Sequence, residues 1–336
     1  MHACHASDMR LVALALSVLL LAPTSATARV PDGLEVTGWV LQSGSNRLVA
    51  RNAGGLTTLS VAGVSITASG GAVAAPGRDH ARLLAAAHRH GLGAELLVSN
   101  YSNRSEGFDP RRLHRLLSSD ARIDRVAGRL ARFVADQGWD GVNVDFERVR
   151  AADGDGLVAF VTALQDAMPA ERTVSIDVSA ATSVRSYRDR GYRLTGLAGA
   201  VDVVDLMTYD LHGPWSRPGP VGALDWQRDA LDALLSVVPA HQVQLGVAGY
   251  GYTWPRPGSG RHGHSVTDRR ARALVAEDGA TAHWRPGPGE WTARLSDGTR
   301  LWWSDARSYR KRVALAREYG VRGLAVWRLG SADTLR

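Results

Sequence analysis

Short apolar runs alternate along this chain with longer stretches whose apolar positions recur every three to four residues. The short runs predict strands at residues 35–41, 57–66, 94–99, 141–147, 173–178, 201–209, 243–250 and 323–327. The longer stretches predict helices at 79–90, 123–137, 156–167, 226–237 and 308–319. In the 123–137 stretch, Val126, Leu130, Phe133 and Val134 fall at helical spacing, and Gly138 stops the helix. Eight strands, mostly alternating with helices, predict an α/β fold: a single (β/α)8 barrel, for which the chain length suffices. Chemistry is then expected where the strands end, at the C-terminal face.

One connection is far longer than usual. Between the strand ending near Tyr250 and the strand starting at Gly323 lie about seventy residues. A Pro/Gly loop covers 255–263, Thr267 is placed to cap a helix running to Glu277, and 283–303 alternates around Pro-Gly-Pro-Gly and Ser-Asp-Gly turns like hairpins. This predicts a small α+β insertion, about residues 255–305, between the seventh and eighth strands at the barrel rim. No internal repeat and no separate binding module is evident.

The most informative stretch is Asp140-Gly141-Val142-Asn143-Val144-Asp145-Phe146-Glu147. In a strand, Val142, Val144 and Phe146 face one way and Asn143, Asp145 and Glu147 the other. The polar positions then stand roughly 6–7 Å apart along the chain. A strand this acidic on one face is a poor structural element unless that face lines a site where an acid is kept protonated.

Composition narrows the setting. Arg10, an apolar run over 11–22 and Ala26-Thr27-Ala28 read as an export signal, so residues 1–28 are expected to be removed and 29–336 to form the barrel. Met9 offers an alternative start. The apolar run is too short to cross a bilayer comfortably, and no membrane span is expected. The single cysteine, Cys4, lies inside that segment, so the mature chain is expected to lack disulfides, thiolate metal sites and a cysteine nucleophile. The net charge is +7, carried almost wholly by scattered arginines. Such a surface suits general solvation, and secondarily an anionic partner such as a cell wall, membrane or nucleic acid, though no nucleic-acid motif is present. His212, His262 and His264 lack a carboxylate at matching spacing; no metal and no other cofactor is expected, and the protein is expected to act as a monomer.

From Val36 onward the chain resembles glycoside hydrolase family 18. The 140–147 stretch looks like that family's DxxDxDxE signature. Met207-Thr208-Tyr209-Asp210 looks like its sixth-strand motif, Leu245-Gly246-Val247 with Tyr250-Gly251-Tyr252 like its seventh, and Gly323-Leu324-Ala325-Val326-Trp327 like its eighth. Within the family the wording is similar to bacterial spore-cortex-lytic N-acetylglucosaminidases, as are Trp215 to Leu224 and the run from Leu301 to Ser308.

The resemblance implies a secreted retaining glycosidase acting on carbohydrates that contain β-linked N-acetylglucosamine, peptidoglycan-type glycan being favoured. It implies that the substrate's 2-acetamido oxygen is the nucleophile, the exception among two-carboxylate glycosidases. Glu147 would be the general acid and Asp145 the group orienting the acetamido N–H. Tyr209 would fix the angle of attack, Met207 and Asp210 would shape the subsite, and Trp327 would floor it. Tyr250, Asn100 and Asn143 are candidate substrate-binding residues of the cleft, and the Asn143 amide can also hydrogen-bond Asp145. Each has a structural alternative. Glu147 and Asp145 could pair with Arg148, and Tyr209 or Trp327 could fill the core. Asp210 could cap a loop, Tyr250, Tyr252 and Trp254 could pack the insertion, and Asn100 with Tyr101 could form a turn. The chain departs from the family in Asn143, where an aspartate is usual. An amide cannot share a titrating proton with Asp145. A chitinase is the close functional alternative, and a lectin-like binding barrel the distant one; such barrels characteristically lose the acid kept here as Glu147.

Overall fold

A computed structural model describes residues 33–335. The segment read as an export signal lies outside them. Eight parallel strands close into a barrel: β1 (Glu35–Leu41), β2 (Thr58–Ser65), β3 (Gly93–Ser99), β4 (Gly141–Asp145), β5 (Thr173–Ser179), β6 (Val203–Met207), β7 (Val243–Ala248) and β8 (Gly323–Trp327). Each pairs with its sequence neighbours, and β8 returns to β1 through Glu35↔Gly323 to Gly38↔Val326. The predicted barrel and its eight strands are therefore observed. The helices also stand where the periodicity puts them, for example Asp120–Gln137 with Gly138 in the left-handed region at φ 79°.

The outward faces of the strands bury Val142, Val144, Ile176, Val204, Leu245 and Leu324 under the helices. The inside of the barrel is different. Such interiors are ordinarily filled by branched apolar side chains. Here Ser60, Glu95, Asn143, Ser175, Asp177, Asp205 and Gln244 are all buried there.

Beyond β7 the chain leaves the barrel. Tyr250–Trp254 pairs with Ser265–Thr267 on one side and Arg300–Trp303 on the other, and Glu290–Arg294 and His283–Arg285 complete a five-stranded antiparallel sheet. The helix Asp268–Asp278 starts where expected, Thr267 Oγ1 accepting from the Arg270 backbone N–H. Three strands end two residues earlier than the periodicity puts them. The fourth strand stops at Asp145, the sixth at Met207 and the seventh at Ala248. Tyr250 is thus the first residue of the outer sheet, not the last of the barrel. Its apolar pattern runs on unbroken because both sheets bury it.

A buried ion pair ties the outer sheet to the barrel. Glu290, fully buried on its strand, accepts from the backbone N–H of Val221 and of Gly222, both at 2.8 Å. Arg312, from the helix Ala306–Tyr319, lies 3.4 Å from the same carboxylate and also donates to the carbonyls of Gly222, Pro288 and Gly289. Residues 211–222, the loop following β6, are thereby held against the insertion. Nothing in the sequence marks Glu290 or Arg312 as buried, since both sit among ordinary surface-type residues.

Candidate active site

The C-terminal ends of β4, β5, β6 and β8 converge on one mouth. Past Asp145 the ladder ends, and Phe146 turns outward onto Phe160 with ring centroids 5.1 Å apart. Glu147 therefore does not sit in the strand. Its backbone is held by a side chain that stands in for a strand. Asn100 Nδ2 donates to the Glu147 carbonyl at 2.9 Å, and Asn100 Oδ1 accepts from the Glu147 N–H at 2.9 Å. The expectation that Asn100 lines the cleft is corrected. It is completely buried, its amide spent on Glu147 and on the Asp109 carbonyl, so it positions the acid's backbone.

Asn143 is likewise not at the cleft. It is fully buried one layer down, where Oδ1 accepts from Trp39 Nε1 at 3.0 Å and from Ser60 Oγ at 3.2 Å. Its Nδ2 donates to Ser175 Oγ and Asp177 Oδ1, both at 2.9 Å, with Asp205 Oδ2 at 3.4 Å. With those donors committed, the expected bond from Asn143 to Asp145 is replaced by a bond to Asp177. The barrel brings Asp177 there from a different strand, which no spacing along the chain reveals.

Four of the remaining predicted residues share one cavity. Glu147, Met207, Tyr209 and Asp210 line one cavity of about 370 Å³, together with Arg190 and Trp226, a size usual for small-molecule sites. Trp327 packs with Tyr209 and against Trp39, ring centroids 6.0 Å apart. Asp145 is buried, and its Oδ1 has no hydrogen-bond partner. Asp210 accepts from the hydroxyls of Tyr250 and Tyr252, the latter at 2.8 Å. Tyr250, Tyr252 and Trp254 are buried, so they pack the junction of barrel and outer sheet and aim two hydroxyls at Asp210. Trp215 is the exposed aromatic of this rim, its ring 5.5 Å edge-on to Tyr252.

Electrostatics follow from burial. Desolvation, then the charges of Asp145 and Asp210, raises the Glu147 carboxyl well above the usual carboxylate range, against an opposing pull from Arg148. Burial and the neighbouring Asp177 raise Asp145 in the same way. Burial raises the Tyr209 hydroxyl well above its ordinary range, so it stays a neutral donor. A carboxyl whose surroundings favour its protonated form, a buried acceptor without a donor and a neutral phenol packed with an indole can together protonate a leaving oxygen and hold an amide.

Two residues of this site are followed by or are themselves left-handed: Arg148 at φ 57° and Asp210 at φ 62°. Aspartate tolerates that region, arginine much less. Replacing Arg148 by glycine is expected to stabilise the fold by up to about 1 kcal/mol, the relieved strain less the extra chain entropy. The same change removes a positive neighbour of Glu147, so the Glu147 pKa rises further. The alkaline limb of any pH–rate profile should then move to higher pH. Unfolding in denaturant and a pH–rate profile check the two halves separately.

Residues 96–332 match the model of the Glycosyl hydrolases family 18. A putative sporulation-specific glycosylase of Bacillus subtilis is 28% identical over 231 residues, 67% of this chain and 55% of that protein. The cortical fragment-lytic enzyme of the same organism is 25% identical over 250 residues, 70% of this chain and 56% of that protein. The chain thus spans about half the length of these relatives. Among solved structures, a chitinase from Chromobacterium violaceum superposes with a TM-score of 0.79 at 28% identity, covering 89% of this chain and 95% of that one.

Proposed function

The chain belongs to the glycosyl hydrolases of family 18, and from that premise we propose that it cleaves β-linked N-acetylglucosamine glycans by substrate-assisted, retaining hydrolysis. The observation that carries this is the placement, at one mouth, of Glu147 in surroundings that favour its protonated form and of a buried, unpartnered Asp145 oxygen, with Tyr209 packed on Trp327 beside them. Glu147 gives its proton to the departing glycosidic oxygen. The 2-acetamido oxygen attacks the anomeric carbon as that bond breaks. Asp145 Oδ1 accepts the acetamido N–H and, as a carboxylate, balances the oxazolinium charge; the Tyr209 hydroxyl donates to the acetamido group. Glu147 then takes a proton from water, which adds to the anomeric carbon and restores the acid. Glycans without the acetamido group lack the nucleophile, so a plain β-glucoside should not be cut. Efficient release from such a glucoside would contradict the scheme.

Peptidoglycan-type glycan is favoured over chitin for two reasons. The relatives include a cortical fragment-lytic enzyme, and the cavity beside Glu147 carries one arginine. Arg190 donates to the Ala180 carbonyl, which leaves the rest of its guanidinium on the cavity lining. Chitin is neutral, whereas muramic-type sugars carry a carboxylate that a guanidinium can pair with. Arg190→Met is expected to lower kcat/KM about tenfold on peptide-free peptidoglycan strands, the value of one charge-assisted hydrogen bond, and to leave chitin oligosaccharides nearly unaffected. Equal losses on both substrates would remove the argument from charge. The leader-like residues 1–28 support action outside the cytoplasm. N-terminal sequencing of the protein recovered from culture medium tests it: a mature form that begins after Ala28 is expected, and one that retains residues 11–22 would refute cleavage.

A further inference from the structure

One helix carries a row of charge that the proposed reaction does not use. Along Asp120–Gln137, Arg122, Arg125, Arg129 and Arg132 recur at spacings of three, four and three. That sets them on a single helix face, in a row about 15 Å long. Each is the near neighbour of the next, and like charges so placed destabilise a helix. A face that needs only solvation avoids this by mixing signs. The chain does so elsewhere: Arg82 pairs with Asp79, Arg185 with Asp189 and Arg270 with Glu277. A row that breaks the local rule without a gain inside the fold is a mark of function.

Arg125, Arg129 and Arg132 are exposed, and among the described residues they make no ion pair and no side-chain hydrogen bond. Arg122, at the upper end, donates to the Arg115 carbonyl at 2.8 Å. Arg129 lies over the Phe133 ring, 4.4 Å from its centroid, which holds that side chain along the face. Arg125 stands over the loop after β2, where a methyl added to Gly71 would meet its Nη1 at 3.5 Å. The acids nearby do not neutralise the row. At about 100° per residue, Asp120 and Asp124 turn to the other flank, and Asp136 meets the row at its lower end. On the helix Arg78–Arg89, which follows β2, the one acid is Asp79, and Arg82 takes it at 3.0 Å.

We propose that this row is a docking surface for a linear phosphodiester polymer of the cell wall, held on the flank of the barrel while the mouth works on glycan. A guanidinium grips a phosphate through two parallel N–H···O bonds. A phosphodiester chain carries one permanent charge per link and can meet arginine after arginine. An alternating glycan strand offers a carboxylate on every second sugar only. Nucleic acid has the same charge repeat, but among the described residues no exposed aromatic stands between these arginines to stack a base. The helix leads into β4 and so runs from the rim of the mouth toward the base of the barrel; a polymer along it leaves the cleft open. The proposal rests on the reading that the protein acts outside the cell on wall glycan.

The test compares purified walls before and after hydrofluoric acid strips their phosphodiester polymers. The parent is expected to co-sediment with intact walls and to bind stripped walls about tenfold more weakly. Arg125→Gln with Arg129→Gln and Arg132→Gln should bind intact and stripped walls alike, at about the parent's level on stripped ones. Its binding should also depend less on salt: the slope of log K against log salt flattens by about two units, each phosphate contact contributing roughly 0.7–0.9. A second triple variant, Arg256→Gln with Arg269→Gln and Arg294→Gln, removes three exposed arginines from the insertion and should keep the parent's preference. Thermal unfolding guards against misfolding, since the row variant, relieved of like-charge neighbours, should melt no lower than the parent. Every variant should hydrolyse a soluble chitin oligosaccharide at the parental rate. That assay is read separately, so failed hydrolysis by the parent counts against the assigned reaction and not against the docking surface. Equal binding of the parent to intact and stripped walls overturns the proposal. So do equal losses in the two triple variants, or tighter binding to double-stranded DNA than to the wall polymer at matched phosphate.

Discussion

Glu147→Gln is expected to fold as the parent does, to bind N-acetylglucosamine oligosaccharides, and to lose turnover by about a thousandfold or more. A positioned general acid is worth roughly 10²–10⁴ in rate, and here the acid must also return as base in the second half of the reaction. The change is small for the fold. Asn100 holds the backbone of residue 147, not its side chain, so the loop keeps its anchor. Glutamine fills the same volume without a proton to give. It also matches the neutral form that burial and the charges of Asp145 and Asp210 favour for Glu147, so the electrostatics of the mouth change little. Binding by calorimetry and hydrolysis by reducing-end assay separate the two effects. Hydrolysis at the parental rate would end the assignment of Glu147. The pH dependence has a defined sign: burial and the charges of Asp145 and Asp210 hold the carboxyl well above its usual range, so the alkaline limb, where Glu147 loses its proton, lies at higher pH than for an exposed glutamate.

The largest expected effect on stability lies away from that mouth. Arg312→Met should cost about 3–5 kcal/mol, because it strands the fully buried Glu290 carboxylate without its counter-charge. Three carbonyls, those of Gly222, Pro288 and Gly289, lose a donor as well. The double change Arg312→Met with Glu290→Gln should recover part of the loss, since a neutral amide still serves a buried site better than a lone charge. Denaturant unfolding of the two single variants and the double variant measures the coupling. Additive losses would mean that the pair is not a unit. Loss of the anchor should also loosen residues 211–222, whose backbone at Val221 and Gly222 is bonded to Glu290.

The barrel was legible in the sequence because its signals are local. Alternation marks strands, 3.6-residue spacing marks helices, and glycines such as Gly138 mark ends, all within a window of ten or so residues. The acid Glu147 was legible too, since period-two alternation from Asn143 points three polar side chains one way. Tertiary structure decided what each of those three does. Asn100 lies forty-seven positions from Glu147 and holds it only because β3 and β4 pair side by side. Asn143 faces inward as expected, yet its partner is Asp177, which depends on the register of β4, β5 and β6. Glu290 and Arg312 look like surface residues until the outer sheet folds over the loop after β6. A sequence states which face a side chain takes along its own strand. The neighbour waiting on that face is set by how eight strands close into a ring, and that information is carried by no single stretch of the chain.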